Sequence, residues 1–258
     1  MDDRDIIGIA KWVVAQSLRG IGSGDLLDGF CVRLVEAGLP LMRGNITQRT
    51  LHPVFNAFSI HWNDGEGIDN SSWERNVERA GENFTLSPYY HLMEKSYPRM
   101  RVRLEGNEST EFPLLDSFRE RGATDYLAMA IAFEGEDKFG PVDGLMSSWT
   151  ITAPGGFTDE QISALENLLP VLALAIKAST NFRIAKVLME TYLGRDAGRR
   201  VLRGDIVRGS VETIRAVLWY CDIRGFTKIA ESTSGEELIA FLNDYFECLA
   251  DPAHDRGG

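Results

Sequence analysis

Asp222 is followed three residues later by Gly225 and then by Phe226 and Thr227, a grouping that can do metal and phosphate chemistry. The stretch before it, Thr213 to Cys221 with Trp219 and Tyr220, is rich in β-branched and aromatic residues and predicts a buried strand ending on the carboxylate. A strand end is a rigid mount for a charge. Gly225 lets the backbone approach a ligand closely, and the amides of Phe226 and Thr227 open a helical turn whose N–H groups favour anions. A carboxylate that holds Mg²⁺ beside amides that hold phosphate oxygens suits a metal-bound polyphosphate. Asp222 taken alone leaves a second role open, that of a turn residue or helix cap.

The run Asp222-Ile223-Arg224-Gly225-Phe226-Thr227 resembles the first metal-binding motif of the class III adenylate and guanylate cyclases. Tyr192-Leu193-Gly194, Ala197-Gly198, Val201-Leu202-Arg203-Gly204 and Ile206-Val207-Arg208-Gly209 resemble the transducer element that leads into the catalytic domain of bacterial members. The resemblance covers about the last quarter of the chain. It implies that Asp222 binds two catalytic ions, Mg²⁺ or Mn²⁺, that the Ile223 carbonyl adds a metal ligand, and that Gly225, Phe226 and Thr227 wrap a triphosphate. The implied reaction converts ATP to cyclic AMP and diphosphate at a homodimer interface; GTP stays open as a substrate. A diguanylate cyclase fits less well, because the residues after Asp222 do not follow that family's pattern.

A length of 258 residues suits one or two domains, and 44% hydrophobic residues suffice for packed cores. A net charge of −11 argues against a nucleic-acid binder, which needs basic patches. Met1-Asp2-Asp3-Arg4-Asp5 is the reverse of a secretory start, and the apolar runs read as too interrupted by charge to span a bilayer, so a cytoplasmic protein is expected. Cys31, Cys221 and Cys248 lie far apart without CxxC pairing, which indicates neither disulfides nor zinc; each is expected to be a small buried residue.

Along the chain, Ile6, Ile7, Ala10, Val13, Val14 and Leu18 recur at helical spacing, Gly20 to Gly24 break it, and Leu26, Leu27, Phe30, Leu34 and Val35 resume it. Strands are predicted over Leu41 to Ile46, Phe55 to Trp62, around Val102 and Leu104, Tyr126 to Phe133 and Leu145 to Thr152, with a helix from Pro113 to Arg121. Residues 64–88 read as a turn and a polar connection of undefined structure. This order resembles a GAF-type sensor, and Gly156-Phe157-Thr158-Asp159-Glu160-Gln161 is similar to the segment opening the last helix of such domains. Thr158 and Gln161 form a capping box there, and Phe157 can staple onto Ile162. The resemblance implies a small-molecule pocket with His52, His61, His91, Trp62, Trp73, Tyr89, Tyr90 and Tyr126 as lining candidates and the ligand undetermined.

From Thr158 a helix of about 35 residues is predicted. Ile162, Leu165, Leu169, Leu172 and Ile176 step by 3 and 4, the seam of a two-stranded coiled coil, and Phe182, Ala185, Met189 and Tyr192 form a second seam. Joining them through Ser179 inserts a stammer, a polar joint suited to a dimer switch. Leu168, Val171 and Ala175 widen the apolar face, so one face of the helix is expected against the sensor's own sheet and the adjacent one against a partner. Ser234-Gly235-Glu236-Glu237 is a further capping box, before a helix whose inner face is Leu238, Phe241, Leu242, Tyr245 and Leu249.

The expected fold is α+β: a GAF-like sensor (1–157), a coiled-coil signalling helix (158–193) that forms a homodimer, a transducer element (194–212) and the first part of a ferredoxin-like cyclase domain (213–258). The second metal aspartate and the transition-state residues of the cyclase family fall downstream, so the chain is read as a fragment of a longer enzyme, inactive alone. The alternative is a non-catalytic ligand-binding dimerisation module with a degenerate cyclase end.

Overall fold

A computed structural model describes residues 1–49, 55–74, 86–94, 98–106, 109–133, 144–205 and 220–256. The chain divides into two compact units, Met1–Ile206 and Val207–Gly258.

In the first unit, Asp2 caps helix α1 (Asp3–Leu18) in a reciprocal capping box with Asp5, and α2 (Ser23–Glu36) follows the glycine break. Six strands make one antiparallel sheet: β1 (Leu41–Arg49), β2 (Phe55–Asn63), β3 (Gly67–Glu74), β4 (Arg99–Arg103), β5 (Asp125–Ala132) and β6 (Gly144–Ile151), in the order β3-β2-β1-β6-β5-β4. Two short helices, α3 (Pro88–Glu94) and α4 (Pro113–Glu120), flank β4 in sequence. The α+β class and the two opening helices are as expected.

The pleat sorts the strands' side chains between two cores. Ile46, Ile60, Trp62, Leu127, Leu145 and Trp149 face α1, α2 and the long helix, where Phe30 and Trp149 meet with ring centroids 5.7 Å apart. On the opposite face Tyr126 and Ala128 pack with Leu92 of α3 and with Leu115 and Phe118 of α4.

Strand β3 and helix α3 fall where the sequence predicted only a connection. β3 reads Gly-Ile-Asp-Asn-Ser-Ser-Trp-Glu, an edge strand held by backbone pairing with β2, so its side chains carry little hydrophobic signal. α3 has seven residues, too few for a helical period to stand out.

Helix α5 (Asp159–Leu193) has the expected 35 residues, and its Thr158 cap and Gln161 return bond are both formed. Its first seam is used inside the chain: Ile162, Leu165, Leu169, Leu172 and Ile176 are each at most 5% exposed, in one core with α1 and α2. Of the two packings expected for this helix, one face on the sensor and the adjacent face on a partner, the first is formed by this seam, which meets α1 and α2 as well as the sheet. Ser179, expected at the dimer joint, shares a hydrogen bond with Ser23 Oγ at 3.3 Å, at the start of α2. In the second seam Phe182 and Tyr192 are 65% and 79% exposed.

Beyond Gly194, helix α6 (Arg195–Leu202) turns back along the end of α5. A Cβ on Gly198 would stand 2.7 Å from the Met189 carbonyl group, and Arg199 Nε lies 3.2 Å from Glu190 Oε1. Two helices packed this closely form a hairpin rather than a rod continuing straight. Residues 206–209 of the transducer motif lie outside the described residues.

The apolar runs also need amending: Asp159–Leu193 is long and apolar enough to cross a bilayer, an 18-residue window within it having a mean hydropathy of 1.4. Half of that apolar window is buried within the chain itself, as in the core helix of a water-facing domain.

In the second unit, helices α7 (Phe226–Ser232) and α8 (Gly235–His254) are joined by Thr233 and Ser234. Ser234 Oγ accepts from the Glu237 N–H at 3.3 Å and donates to Glu237 Oε2 at 2.8 Å, so the second capping box forms as expected. No described residue in 220–256 is buried. Cys221 and Cys248 are consequently exposed, against expectation, whereas Cys31 is buried in α2.

Leu172→Ala is expected to lower unfolding stability by about 2–5 kcal/mol, as for a buried leucine in an intrachain core. Urea unfolding at two protein concentrations checks this: a midpoint that moves with concentration would return Leu172 to an intermolecular seam.

Candidate functional site

The sheet face beneath α3 and α4 carries a polar layer that alternation in β1 and β2 builds directly. Arg43, Asn45 and Thr47 of β1 stand on one face, and register places Asn63, His61 and Ser59 of β2 opposite them. Ser148 and Thr150 of β6 flank Asn45 and Arg43 from the other side, and Tyr126 of β5 stands opposite Thr150. Tyr89 of α3 reaches down onto this layer, its hydroxyl accepting from Asn45 Nδ2 at 2.6 Å. Thr47 and Ser59 share a hydrogen bond at 2.5 Å.

Arg43 is the cation of the layer. A guanidinium N–H donates to His61 Nδ1 at 2.5 Å, and its Cζ lies 5.1 Å from the centre of the Phe118 ring. Burial lowers the Arg43 pKa. Burial, and then the neighbouring Arg43 charge, push His61 down to about 4, so the imidazole is neutral at pH 7 and accepts from Arg43. Burial raises the pKa of Tyr89 and Tyr126, which keeps both phenols protonated.

His61, Tyr89 and Tyr126 thus come together among the expected lining residues. Trp62 belongs to the opposite face, as period-two alternation demands, where its indole N–H donates to Asp28 of α2 at 3.0 Å. His91 packs edge-on against Phe112, 5.1 Å away, and Tyr90 against His91 at 6.1 Å. His52 and the Trp73 side chain lie outside the described residues. Sequence reading missed Arg43, Asn45, Thr47 and Ser148. Their signal was the alternation of polar residues with Gly44, Ile46 and Gln48 along β1.

A second polar arrangement joins the sheet to the long helix. Asp125 at the start of β5 is fully buried, and its Oδ2 accepts from Arg101 Nε at 2.9 Å, Arg101 Nη2 at 2.6 Å and the Phe157 N–H at 2.9 Å. Arg101 Nη2 also donates to the Phe157 carbonyl at 2.6 Å, and Arg103 donates to the Gly155 carbonyl. The loop that opens α5 is thereby tied to β4 and β5. Gly156, with φ of 73°, lies so close to the carboxylate that a Cβ there would meet Asp125 Oδ2 at 2.3 Å.

In the second unit, the metal and phosphate candidates occupy a tight turn. The Phe226 N–H donates to the Ile223 carbonyl at 3.2 Å, closing a four-residue turn over Arg224 and Gly225. Gly225 has φ of 75° and ψ of 19°, the conformation a type II turn requires at its third position. Gly225 then caps α7, accepting from Lys228 N at 3.0 Å. Asp222 is exposed just before this turn, and the Ile223 oxygen keeps one lone pair beyond its bond to Phe226. The predicted strand does not reach Asp222, since residues 220–222 are irregular, and residues 213–219, Trp219 included, lie outside the described residues. Cys221 Sγ lies 3.0 Å from the Tyr245 hydroxyl of α8, a contact that raises the Tyr245 pKa. Among the described residues, no group of three or more His, Cys, Asp or Glu is arranged to hold a metal ion.

No protein-family model matches the chain. Over 50 residues it is 38% identical to an adenylate cyclase of Anabaena cylindrica, covering 19% of this chain. The chain thus spans about a tenth of the length of the curated relative it matches. Among solved structures it is similar to the phycocyanobilin-bound GAF domain of a cyanobacterial phytochrome, at a TM-score of 0.43 and 15% identity over 69% of this chain and 96% of that one. It is also similar to the VqsR LBD domain from Pseudomonas aeruginosa, at a TM-score of 0.40 and 14% identity over 67% of this chain and 96% of that one.

Asp125→Ala is expected to cost about 3–5 kcal/mol, because it leaves the Arg101 charge without its buried partner. Chemical denaturation measures this, and a loss below about 1 kcal/mol, the worth of an exposed pair, would contradict a structural clamp. His61 adds a pH dependence: its folded pKa lies below its unfolded one, so stability falls as pH drops from about 6.5 towards about 4. His61→Gln should flatten that part of the profile, read as Tm against pH.

Proposed function

We propose that the chain is the sensor, signalling helix and opening catalytic segment of a class III adenylate cyclase. The observation that carries this is the turn after Asp222: an exposed carboxylate, a left-handed Gly225 and a helix start at Phe226 follow one another without a gap. The 50-residue identity with an adenylate cyclase supports the same reading. Residues 1–157 act as a GAF-like sensor, consistent with one antiparallel sheet whose polar face is roofed by α3 and α4.

In this reading Asp222 and the Ile223 carbonyl hold Mg²⁺ or Mn²⁺. Their chemistry fits, since hard cations take carboxylate and carbonyl oxygens. The ion, when bound, supplies positive charge to the polyphosphate of ATP. Gly225 allows a phosphate close to the backbone, and the Thr227 amide at the start of α7 orients its oxygens, while the Phe226 amide is spent on closing the turn to Ile223. A second carboxylate for two-ion chemistry would come from other parts of the catalytic domain. Those parts would also cover the apolar side chains that α8 exposes on more than one side, Phe241, Ile239 and Phe246 at 39%, 58% and 58%.

Regulation follows from the Asp125 clamp. A change in the sensor's sheet moves β4 and β5, and Arg101, Asp125 and Phe157 transmit that movement to the start of α5. A homodimer would use the exposed α5 residues Leu174 and Phe182, because the first seam is already covered. The competing reading, a ligand-binding module with a degenerate cyclase end, draws on the absence of a metal-ligand cluster among the described residues.

The test is cyclic AMP formation from ATP with Mg²⁺ or Mn²⁺. The 258-residue chain should show none, and the parent enzyme should lose about a thousandfold or more on Asp222→Ala, the scale of losing a charge-stabilising group at a reacting centre. Activity in the parent that survives Asp222→Ala, or its absence from the unaltered parent, would favour the non-catalytic module.

A further inference from the structure

The polar layer beneath α3 contains a charge and several polar atoms that the fold itself leaves without complements. Arg43 bonds a neutral imidazole and stacks near a phenyl ring, and among the described residues no carboxylate lies within ion-pair distance of it. Its charged neighbours are Arg121 and Asp69, and Asp64 stands with Arg121 in the adjoining cavity, so the two arginines and two aspartates balance and what Arg43 lacks is a counter-ion bonded to it. A cation taken out of water without a bonded counter-ion is costly to the folded chain.

Three buried oxygens on the same face also lack hydrogen-bond partners: Asn45 Oδ1, Asn63 Oδ1 and Thr150 Oγ1. Asn45 is 4% exposed and Thr150 fully buried. Register places Asn63 and Thr150 directly opposite Arg43 on its two neighbouring strands. Buried polar atoms are nearly always paired, so an unpaired group of three beside a cation with no bonded counter-ion marks a place for a ligand. A cavity of about 320 Å³ adjoins the layer at Asn63, which lines it with Met42, Asp64, Arg121 and Thr152; Arg43 stands opposite Asn63 across the strand pair, outside that lining.

We propose that this layer binds a small organic monocarboxylate that also carries a hydroxyl or amide donor, with Arg43 as the anchor of its carboxylate. The inference rests on the sensor reading and specifies its ligand class. The chemistry selects each part of the molecule. The planar guanidinium fork matches a carboxylate with two parallel N–H bonds. One negative charge pairs the Arg43 guanidinium, whereas a dianionic phosphate would leave an excess beside Asp64 and Asp69. The Thr150 hydroxyl can donate to the carboxylate, and the two asparagine carbonyl oxygens can only accept, which calls for a donor elsewhere on the ligand. Phe118 and Tyr126 supply an apolar wall for its body.

The experiment is a titration of the whole chain with 4-hydroxybenzoate, its neutral isostere 4-hydroxybenzamide and inorganic phosphate, read as thermal shift and tryptophan fluorescence. The acid is expected to bind at least about tenfold tighter than the amide, the scale of one charge-assisted bond. Phosphate is expected to give no shift. Arg43→Met should erase the preference for the acid, and Arg43→Lys, which keeps the charge and loses the fork, should retain part of it and serve as the folded control. Equal binding of acid and amide, or preference for phosphate, overturns the carboxylate assignment while the sensor reading stands. Failure of all three probes to bind likewise overturns the carboxylate assignment.

Discussion

The buried carboxylate of Asp125 is the contact on which the first unit's organisation depends. It stands at the start of a central strand, fully out of water, and one of its oxygens collects two bonds from Arg101 and one from the Phe157 amide. A carboxylate in that position is tolerable only when paired and hydrogen-bonded, so the burial of Asp125 and the placement of β4 and of the 155–157 loop are mutually dependent. Gly156 belongs to the same constraint, because no side chain fits between that loop and the carboxylate. The loop in turn sets Thr158, whose capping box starts a helix of 35 residues. A displacement of the sheet edge and a displacement of the helix start are therefore one event.

From that fixed start α5 runs across α1 and α2, and the apolar stripe that sequence periodicity offers to a partner chain is consumed within the molecule. The chain is then folded back at Gly194, with α6 lying against the last turns of α5 through the backbone contact of Gly198 and Met189. The helix is thus held at its base by an ion pair, along its length by an apolar core and at its end by a hairpin. The opposite face of the sheet is built on different physics. There β1 and β2 present hydroxyls, amides and one guanidinium in place of aliphatic side chains, and the roof is aromatic. One sheet therefore separates a dry core that supports the helix from a polar layer suited to recognition.

The second unit rests on local interactions. The Ile223–Phe226 turn, the left-handed Gly225 and the Ser234–Glu237 capping box each involve residues at most three apart. Phe241, Tyr245 and Phe246 make ring contacts with one another along α8 and stay partly or largely exposed among the described residues. Such a segment displays the Asp222 carboxylate just ahead of a turn that closes on a helix start.

What the sequence determined by itself was whatever is decided within a few residues: the capped starts of α5 and α8, the breaks between α1 and α2, the hydrophobic strands, and the turn that exposes Asp222. Capping boxes, glycine turns and apolar periods act through neighbours in the chain, so they are legible without a fold. Tertiary structure decided which neighbour each face meets. It set the α5 stripe against α1, placed polar β3 at the sheet edge, decided which side of the sheet takes Trp62 and which takes His61, and joined Arg101 to Asp125 across a strand pair. Those outcomes depend on pairing register and on which apolar surface arrives first at another, and neither is written in the spacing of residues along one segment.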